Sequence, residues 1–276
     1  MSRLLVFLLL FALLASEAVA AAAFAPEAVA TYRFNNSFNA DENGVPAIVP
    51  TTFLSTSAFI PDVVFGQQRP VWSFDGNAVP ANQEAGLTLD TTDLVAPNEY
   101  SIELVFLFTQ RQGQWRRIID VENRQSDNGF YVDPLNNLSI FPVSSSTAMW
   151  TNNVYHHVVL TNDGSTVNTY LDGGAGFATS TGLMNLNNVN NPGYLMHFFL
   201  DNIAGGGAGE FSDGRVALVR LWRGVLAAEE VRQLAANLFV PEPPTAMILV
   251  FAVLATVRRG PQLKKRKIVR HEAFDG

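Results

Sequence analysis

Residues 150–173, WTNNVYHHVVLTNDGSTVNTYLDG, constrain the fold more than any other stretch. Residues 154–161 are β-branched and aromatic-rich, contain no Gly or Pro, and read as a strand. Asn162-Asp163-Gly164-Ser165 reads as a tight turn, because Gly164 takes positive φ freely and Asn and Asp tolerate it. Residues 166–171 alternate Val167, Thr169 and Leu171 against Asn168 and Tyr170, the period of a strand with one buried face. Asp172-Gly173-Gly174 reads as the next turn. A hairpin with one apolar face needs more sheet to pack on. His156 and His157 are adjacent on a strand and point to opposite faces, so they are read as packing and hydrogen-bonding residues, not a joint metal or catalytic couple.

The rest of the pattern is strand with one exception. Strands are expected at 30–34, 71–74, 86–89, 100–108, 114–121, 129–132, 137–141, 194–200 and 215–222. The run YSIELVFLF at 100–108 is nearly all apolar, as a central strand would be. In 215–222, Val216, Leu218, Arg220 and Trp222 are placed on one face. Residues 35–70, rich in Asn, Ser, Thr and Pro, read as short strands and long loops. The exception is 227–238, a helix with Val231, Leu234 and Leu238 on one side and Glu229-Glu230 in its first turn, where the helix dipole favours them.

The hairpin resembles those of LamG-like (concanavalin A-like, pentraxin-like) jelly-roll domains. The match lies in Trp150, His157-Val158-Val159-Leu160-Thr161, Asp163-Gly164-Ser165-Thr166 and Tyr170-Leu171-Asp172-Gly173. Phe74-Asp75-Gly76, the 100–108 strand and the closing strand–helix pattern extend the resemblance over about residues 30–238. The resemblance implies an all-β, two-sheet antiparallel jelly-roll sandwich across residues 26–239, with one short C-terminal helix. Fold alone does not fix function.

The two ends read as export signals. Arg3, the apolar run 4–14 and Ala18-Val19-Ala20 form a signal peptide over residues 1–20, too short to span a membrane. Pro241-Glu242-Pro243, the apolar run 246–257 and Arg258-Arg259 resemble the PEP-CTERM sorting signal of Gram-negative bacteria, here residues 240–259, followed by a basic tail at 260–276. The resemblance implies an exosortase partner, transient anchoring in the inner membrane, and delivery to the cell surface, outer envelope or extracellular matrix. The apolar run is shorter than the ~20 residues of a comfortable span, and the tail continues beyond the family pattern.

Between Pro26 and Val240 there is no lysine, and 10 Arg face 21 Asp plus Glu, a net charge of −11. Such a surface repels nucleic acid and anionic lipid and suits glycans or divalent cations. Cysteine is absent, so the domain is expected to rely on core burial and metal, not disulfides.

Calcium is the expected cofactor, because it takes six to eight oxygens and loops supply them. The first ligand set is Asp201, Asn202, Glu210 and Asp213, bracketing Gly205, Gly206, Gly207 and Gly209; the second is Asp127, Asn128 and Asp133. Asp120 and Glu122 form the one carboxylate pair at strand spacing, but Gln125 stands where a retaining glucanase pattern needs a third carboxylate. The pair is therefore expected to be dispensable for folding and binding. The expected function is an exported, non-enzymatic surface or matrix protein that binds glycan or exopolysaccharide with calcium. The alternatives are a glycoside hydrolase or lyase on the same fold and an adhesion or coat protein recognising other proteins.

Overall fold

The computed structural model describes residues 26–238 apart from 52–55, 77–83, 111–112, 181 and 207–208. The expected leader, the Pro241-Glu242-Pro243 segment, the basic tail and Gly207 lie outside the described residues. Among the described residues no helix is long and apolar enough to cross a membrane.

The strands in chain order are β1 (Glu27–Tyr32), β2 (Val49–Thr51), β3 (Ala58–Val64), β4 (Gln67–Phe74), β5 (Gly86–Asp90), β6 (Glu99–Phe108), β7 (Arg116–Asp120) and β8 (Gly129–Val132). They continue with β9 (Asn137–Phe141), β10 (Ser144–Met149), β11 (His156–Asp163), β12 (Val167–Leu171), β13 (Gly174–Thr179), β14 (Leu195–Phe198) and β15 (Gly214–Arg223), and the helix α1 (Ala228–Leu238) closes the domain. They form two antiparallel sheets. One runs β13-β12-β11-β6-β15-β4-β3, with β1 also paired to β15; the other runs β10-β9-β8-β7-β14-β5-β2.

Period-2 alternation places the core between the sheets. Ile102, Leu104, Phe106 and Phe108 of β6 point inward with Val158 and Leu160 of β11, meeting Phe130, Val132, Ile140, Met196 and Phe198 of the other sheet. Aromatic rings fill the centre. Phe74 stacks on Phe199 at 4.4 Å, and Phe106 lies 4.8 Å from Trp150. β6 is buried on its other face too, where Val105 and Leu107 pack with Val71 and Ala217. This explains its unbroken apolar run.

Three expectations are corrected. Residues 58–70 are not short strands and long loops: β3 and β4 form a regular hairpin with Pro61 opposite Pro70. Proline is tolerated because β3 is a sheet edge. Its turn, Phe65-Gly66, has φ of 49° and 82° and lacks the usual Asn-Gly signal. Second, the Asp172-Gly173 turn leads straight into β13, GAGFAT, whose small residues carry no strand signature. Third, β15 carries a bulge between Val216 and Leu218. Val216 therefore faces the main core with Val219 and Leu221, while Leu218 packs on the opposite face.

On the outer face of the first sheet, Glu103 is fully buried and accepts from Arg220 Nη1 at 2.9 Å and Trp222 Nε1 at 3.2 Å; His157 Nε2 lies 3.1 Å away. Burial favours the neutral acid, but the His157 hydrogen bond and the Arg220 charge hold Glu103 below the usual carboxylate range. Its contribution is present at neutral pH and is lost as pH falls below that range. Glu103→Ala is expected to lower stability by about 3–5 kcal/mol at pH 7, since it strands a buried cation. Urea titrations at pH 7 and pH 3 check this. The gap between wild type and variant should narrow in acid, and an equal gap at both would contradict the assignment.

Candidate functional site

β7 reads RRIID, and its two arginines separate. Arg116 lies against Asn136 and Asn152 and over the Phe108 ring. Arg117 lies on the outer face of the second sheet, paired with Tyr131 of β8, whose ring its guanidinium covers at 4.7 Å. The next outer-face row runs Thr88–His197–Asp120 across β5, β14 and β7. His197 is buried; Thr88 Oγ1 lies 2.8 Å from its Nδ1 and Asn123 Oδ1 lies 3.3 Å from its Nε2. Burial, then the charges of Arg124 and Arg117, push His197 down to about 4. The ring is neutral at physiological pH, with Thr88 donating to Nδ1 and Nε2 donating to Asn123.

Four carboxylates surround the Arg117 guanidinium. Asp120 lies at 2.5 Å, Asp127 at 3.5 Å, Asp201 at 3.7 Å and Glu210 at 3.9 Å. Burial opposes the Arg117 charge, yet Tyr131, Asp120, Asp201 and Glu210 together raise its pKa above the ordinary arginine value. Asn202 Oδ1 accepts from Arg117 Nη2 at 3.0 Å. Arg117 N donates to Glu210 O at 2.8 Å, so the loop after β14 is laced along β7. Arg124 extends the network, donating through Nε to Asp201 O at 2.5 Å and through Nη2 to the buried Glu84.

The burial is graded. The Asp120 and Asp201 side chains are 0% exposed, Glu210 is 15% and Asp127 is 27%. Around the Tyr131 ring lie the half-buried rings of Trp115 and Phe141. Trp115 meets Tyr131 edge-on at 5.5 Å and Phe141 at 5.3 Å, and the Tyr131 hydroxyl donates to Asp127 O at 2.8 Å.

The structure thus gathers Asp201, Asn202 and Glu210 from the first expected calcium set, and Asp127 from the second. Asp213 lies elsewhere: it accepts from Gln110 Nε2 at 2.7 Å and edges a cavity with Thr56, Asp75 and Arg215. Asp133 caps its own turn, accepting from Leu135 N and Asn137 N at 2.8 Å. The residues do not fit calcium as arranged. Asp201 Oδ2 accepts from Gly209 N and Glu210 N, Oδ1 accepts from Asn202 N, and the central cation is Arg117. Among the described residues no group of three or more His, Asp and Glu side chains has metal-holding geometry.

Asp120 and Glu122 are both tied into hydrogen bonds. Asp120 Oδ1 accepts from the N–H groups of Glu122 and Arg124 at 3.1 and 2.9 Å, and Glu122 Oε2 accepts from Asn190 Nδ2 at 2.6 Å. Asp120 is the nearest counter-charge of Arg117, so its removal bears on folding as well as on any chemistry. His156 and His157 do point apart, toward Asp172 and Glu103 respectively. Trp115, Arg117 and Tyr131 were not singled out by the sequence. An Arg-Arg pair on a strand was the one available signal, and it reads equally as solvent-facing charge.

Glu210 Oε2 is buried without a hydrogen-bond partner. Burial, then the Asp127 carboxylate, then Asp201 push Glu210 up to about 8. Its folded pKa exceeds its unfolded one, so the protonated acid favours the folded state and stability falls as pH rises through that interval. Wild-type melting temperature should fall between about pH 5 and about pH 8. In Glu210→Gln that slope should flatten, while Arg117, Asp127, Asp201 and Tyr131 stay in place. Thermal melts across this range check it, and an unchanged slope would contradict the raised Glu210 pKa.

Residues 81–232 match a laminin-G-type family model described as the concanavalin A-like lectin/glucanases superfamily. No curated protein matches the sequence. Domain 4 of a GH43 extracellular arabinanase from Geobacillus stearothermophilus, solved in complex with arabinotriose, is similar in structure at a TM-score of 0.55 and 16% identity, covering 76% of this chain and 98% of that one. A botulinum neurotoxin type C structure, concerned with cell entry through two ganglioside molecules, matches at 0.53 and 9% identity over 77% of this chain. The binding domain of botulinum neurotoxin DC, in complex with SialylT, matches at 0.53 and 10% over 76%. The chain spans about half of these neurotoxin chains, 51% in each case. At such identities the likeness is one of fold. With the family model covering more than half of its length, the chain belongs to the concanavalin A-like lectin/glucanases superfamily.

Proposed function

We propose that the protein is an exported, non-enzymatic glycan-binding protein of the cell surface or extracellular matrix. One observation carries the reading. The half-buried rings of Trp115 and Phe141 pack on Tyr131, whose hydroxyl donates to Asp127 O, and the Asp127 and Glu210 carboxylates near Arg117 are partly open. A sugar needs both: a ring face for its C–H groups and acceptors for its hydroxyls. The arabinanase domain bound to arabinotriose and the ganglioside-linked toxins support it as analogies of fold. Arg117 already supplies the positive charge at this face, so calcium is given no role there. Export rests on the leader at 1–20 and the Pro241-Glu242-Pro243 segment, with an exosortase as the processing partner.

A glycan array probed with the mature domain tests the reading. Wild type should bind neutral oligosaccharides equally in calcium and in EDTA. Trp115→Ala should lose about 1–3 kcal/mol, a fall of five- to a hundredfold, without unfolding. Array binding that vanishes in EDTA would return calcium to the face, and binding untouched by Trp115→Ala would move the site elsewhere.

A second reading, glycoside hydrolysis, is favoured by one feature: a protonated Glu210 beside Asp127 pairs an acid with a neighbouring carboxyl group. Wild type is expected to release no reducing sugar from arabinan. Release that Glu210→Gln abolishes would establish the enzyme instead. The exported form is expected to end near Pro243, and mass spectrometry of surface-extracted protein checks it; a chain retaining Lys264 and Lys265 would contradict processing.

A further inference from the structure

A cavity of about 190 Å³ opens at the end of β5 and the start of β14, lined by Thr91, Thr92, Asp93, Val95, Pro97 and Tyr194. Two of these residues hold left-handed backbone, Asp93 at φ 61° and Tyr194 at φ 52°. For a bulky tyrosine that conformation is a real outlier. It persists only where the surroundings over-determine it.

They do so here. Tyr194 O accepts from Thr91 N at 3.1 Å and from Thr91 Oγ1 at 2.6 Å, and Tyr194 N donates to Asn191 O at 3.3 Å. Asn191 is fully buried. Its Nδ2 donates to Val121 O, Leu186 O and Leu195 O, and its Oδ1 accepts from Leu195 N. Across the cavity, Asp90 Oδ1 accepts from Thr92 N at 2.9 Å and Thr91 O accepts from Leu94 N at 3.1 Å. Both walls are fixed before any ligand arrives, which reduces the ordering cost of binding.

The lining holds unused polar groups. The Thr92 hydroxyl, the Asp93 carboxylate and the Tyr194 hydroxyl make no hydrogen bond among the described residues, while Val95, Pro97 and the Tyr194 ring supply apolar surface. The Tyr194 ring packs partly against the main core, which holds its orientation. A ligand for this lining presents hydroxyls and an apolar C–H face together. The cavity is below the ~300–1,000 Å³ of drug-sized sites, and it suits a single ring. The Asp93 carboxylate, in a strongly acidic domain, disfavours an anionic sugar.

We propose that this cavity is a second glycan subsite that takes one neutral pyranose ring, stacked on Tyr194 and hydrogen-bonded by Thr92 and Asp93. It rests on the reading of the protein as a glycan binder, but at a place separate from the Trp115 face. The probes are methyl glucoside, methyl galactoside, methyl mannoside and glucuronic acid, added to the mature domain carrying ¹³C-labelled tyrosine. At least one neutral glycoside should shift the Tyr194 ring signals, and glucuronic acid should not. Tyr194→Gly removes the ring while relieving the left-handed backbone, so the fold should survive. It should weaken binding of that glycoside at least tenfold. Asp93→Asn, which tolerates the same backbone, should admit glucuronic acid. Trp115→Ala should leave the Tyr194 shifts unchanged.

Tyr194 signals that respond to no neutral glycoside, or glycoside binding unaltered in Tyr194→Gly, would overturn the subsite. The Trp115-dependent array signal would then stand by itself. Conversely, Tyr194 shifts with no array signal at the Trp115 face would overturn the reading of that face and keep the subsite.

Discussion

The fully buried Arg117 guanidinium fixes how the loops lie over the second sheet. A charge at that depth is tolerated only with close partners, and its partners come from three parts of the chain. Asp120 is on β7 itself, Asp127 is in the turn before β8, and Asp201 and Glu210 belong to the segment after β14. Each partner brings its backbone with it. Glu210 O is bonded to Arg117 N, Asp201 O to Arg124 Nε, and Arg124 O to Ile203 N. In a chain without cysteine, this network ties loops that a disulfide would otherwise hold. One guanidinium does not balance four carboxylates, and a proton kept on Glu210 relieves part of the excess.

The first sheet solves a similar problem differently. Glu103 sits on its outer face with Arg220, His157 and Trp222, near the apolar patch of Val159, Tyr170, Leu226 and Val231 in which α1 takes part. Each sheet therefore carries a buried charge network on its outer face, while the space between the sheets is filled mainly by aliphatic and aromatic side chains, with Arg116 lying over the Phe108 ring. A helix shields one centre and loops shield the other. The loop-covered face leaves Trp115 and Phe141 half-buried.

Much of the fold was legible in the sequence, for local reasons. Asn162-Asp163-Gly164 declares its turn, β6 declares its centrality by being apolar on both faces, and α1 declares itself by its spacing and its first-turn acids. What was missed lacked local signals. Phe65-Gly66 turns without Asn, β13 is built of small residues, and the β15 bulge shifts the alternation by one residue with no change in composition. The candidate site was only half legible, for a different reason. Its acids were visible as clusters, but their counter-charge sits within β7, and sheet order makes the meeting: β14 enters beside β7 and carries Asp201 to Arg117. Acidic loops without a visible cation invite calcium. A cation supplied by a strand about 84 residues earlier does not announce itself in the loop.

The gradient of exposure across the site separates holding from presenting. Asp120 and Asp201 are sealed and committed to N–H donors, so they fix geometry. Asp127 and Glu210 are partly open. A carboxyl group already held by its neighbours costs less to order when a ligand arrives. The same holds, more weakly, for the fixed walls at Tyr194. In both places the scaffold bears the ordering cost in advance through buried bonds that no ligand touches. The fold can in this way hold a partly open polar face over a sealed network of charges.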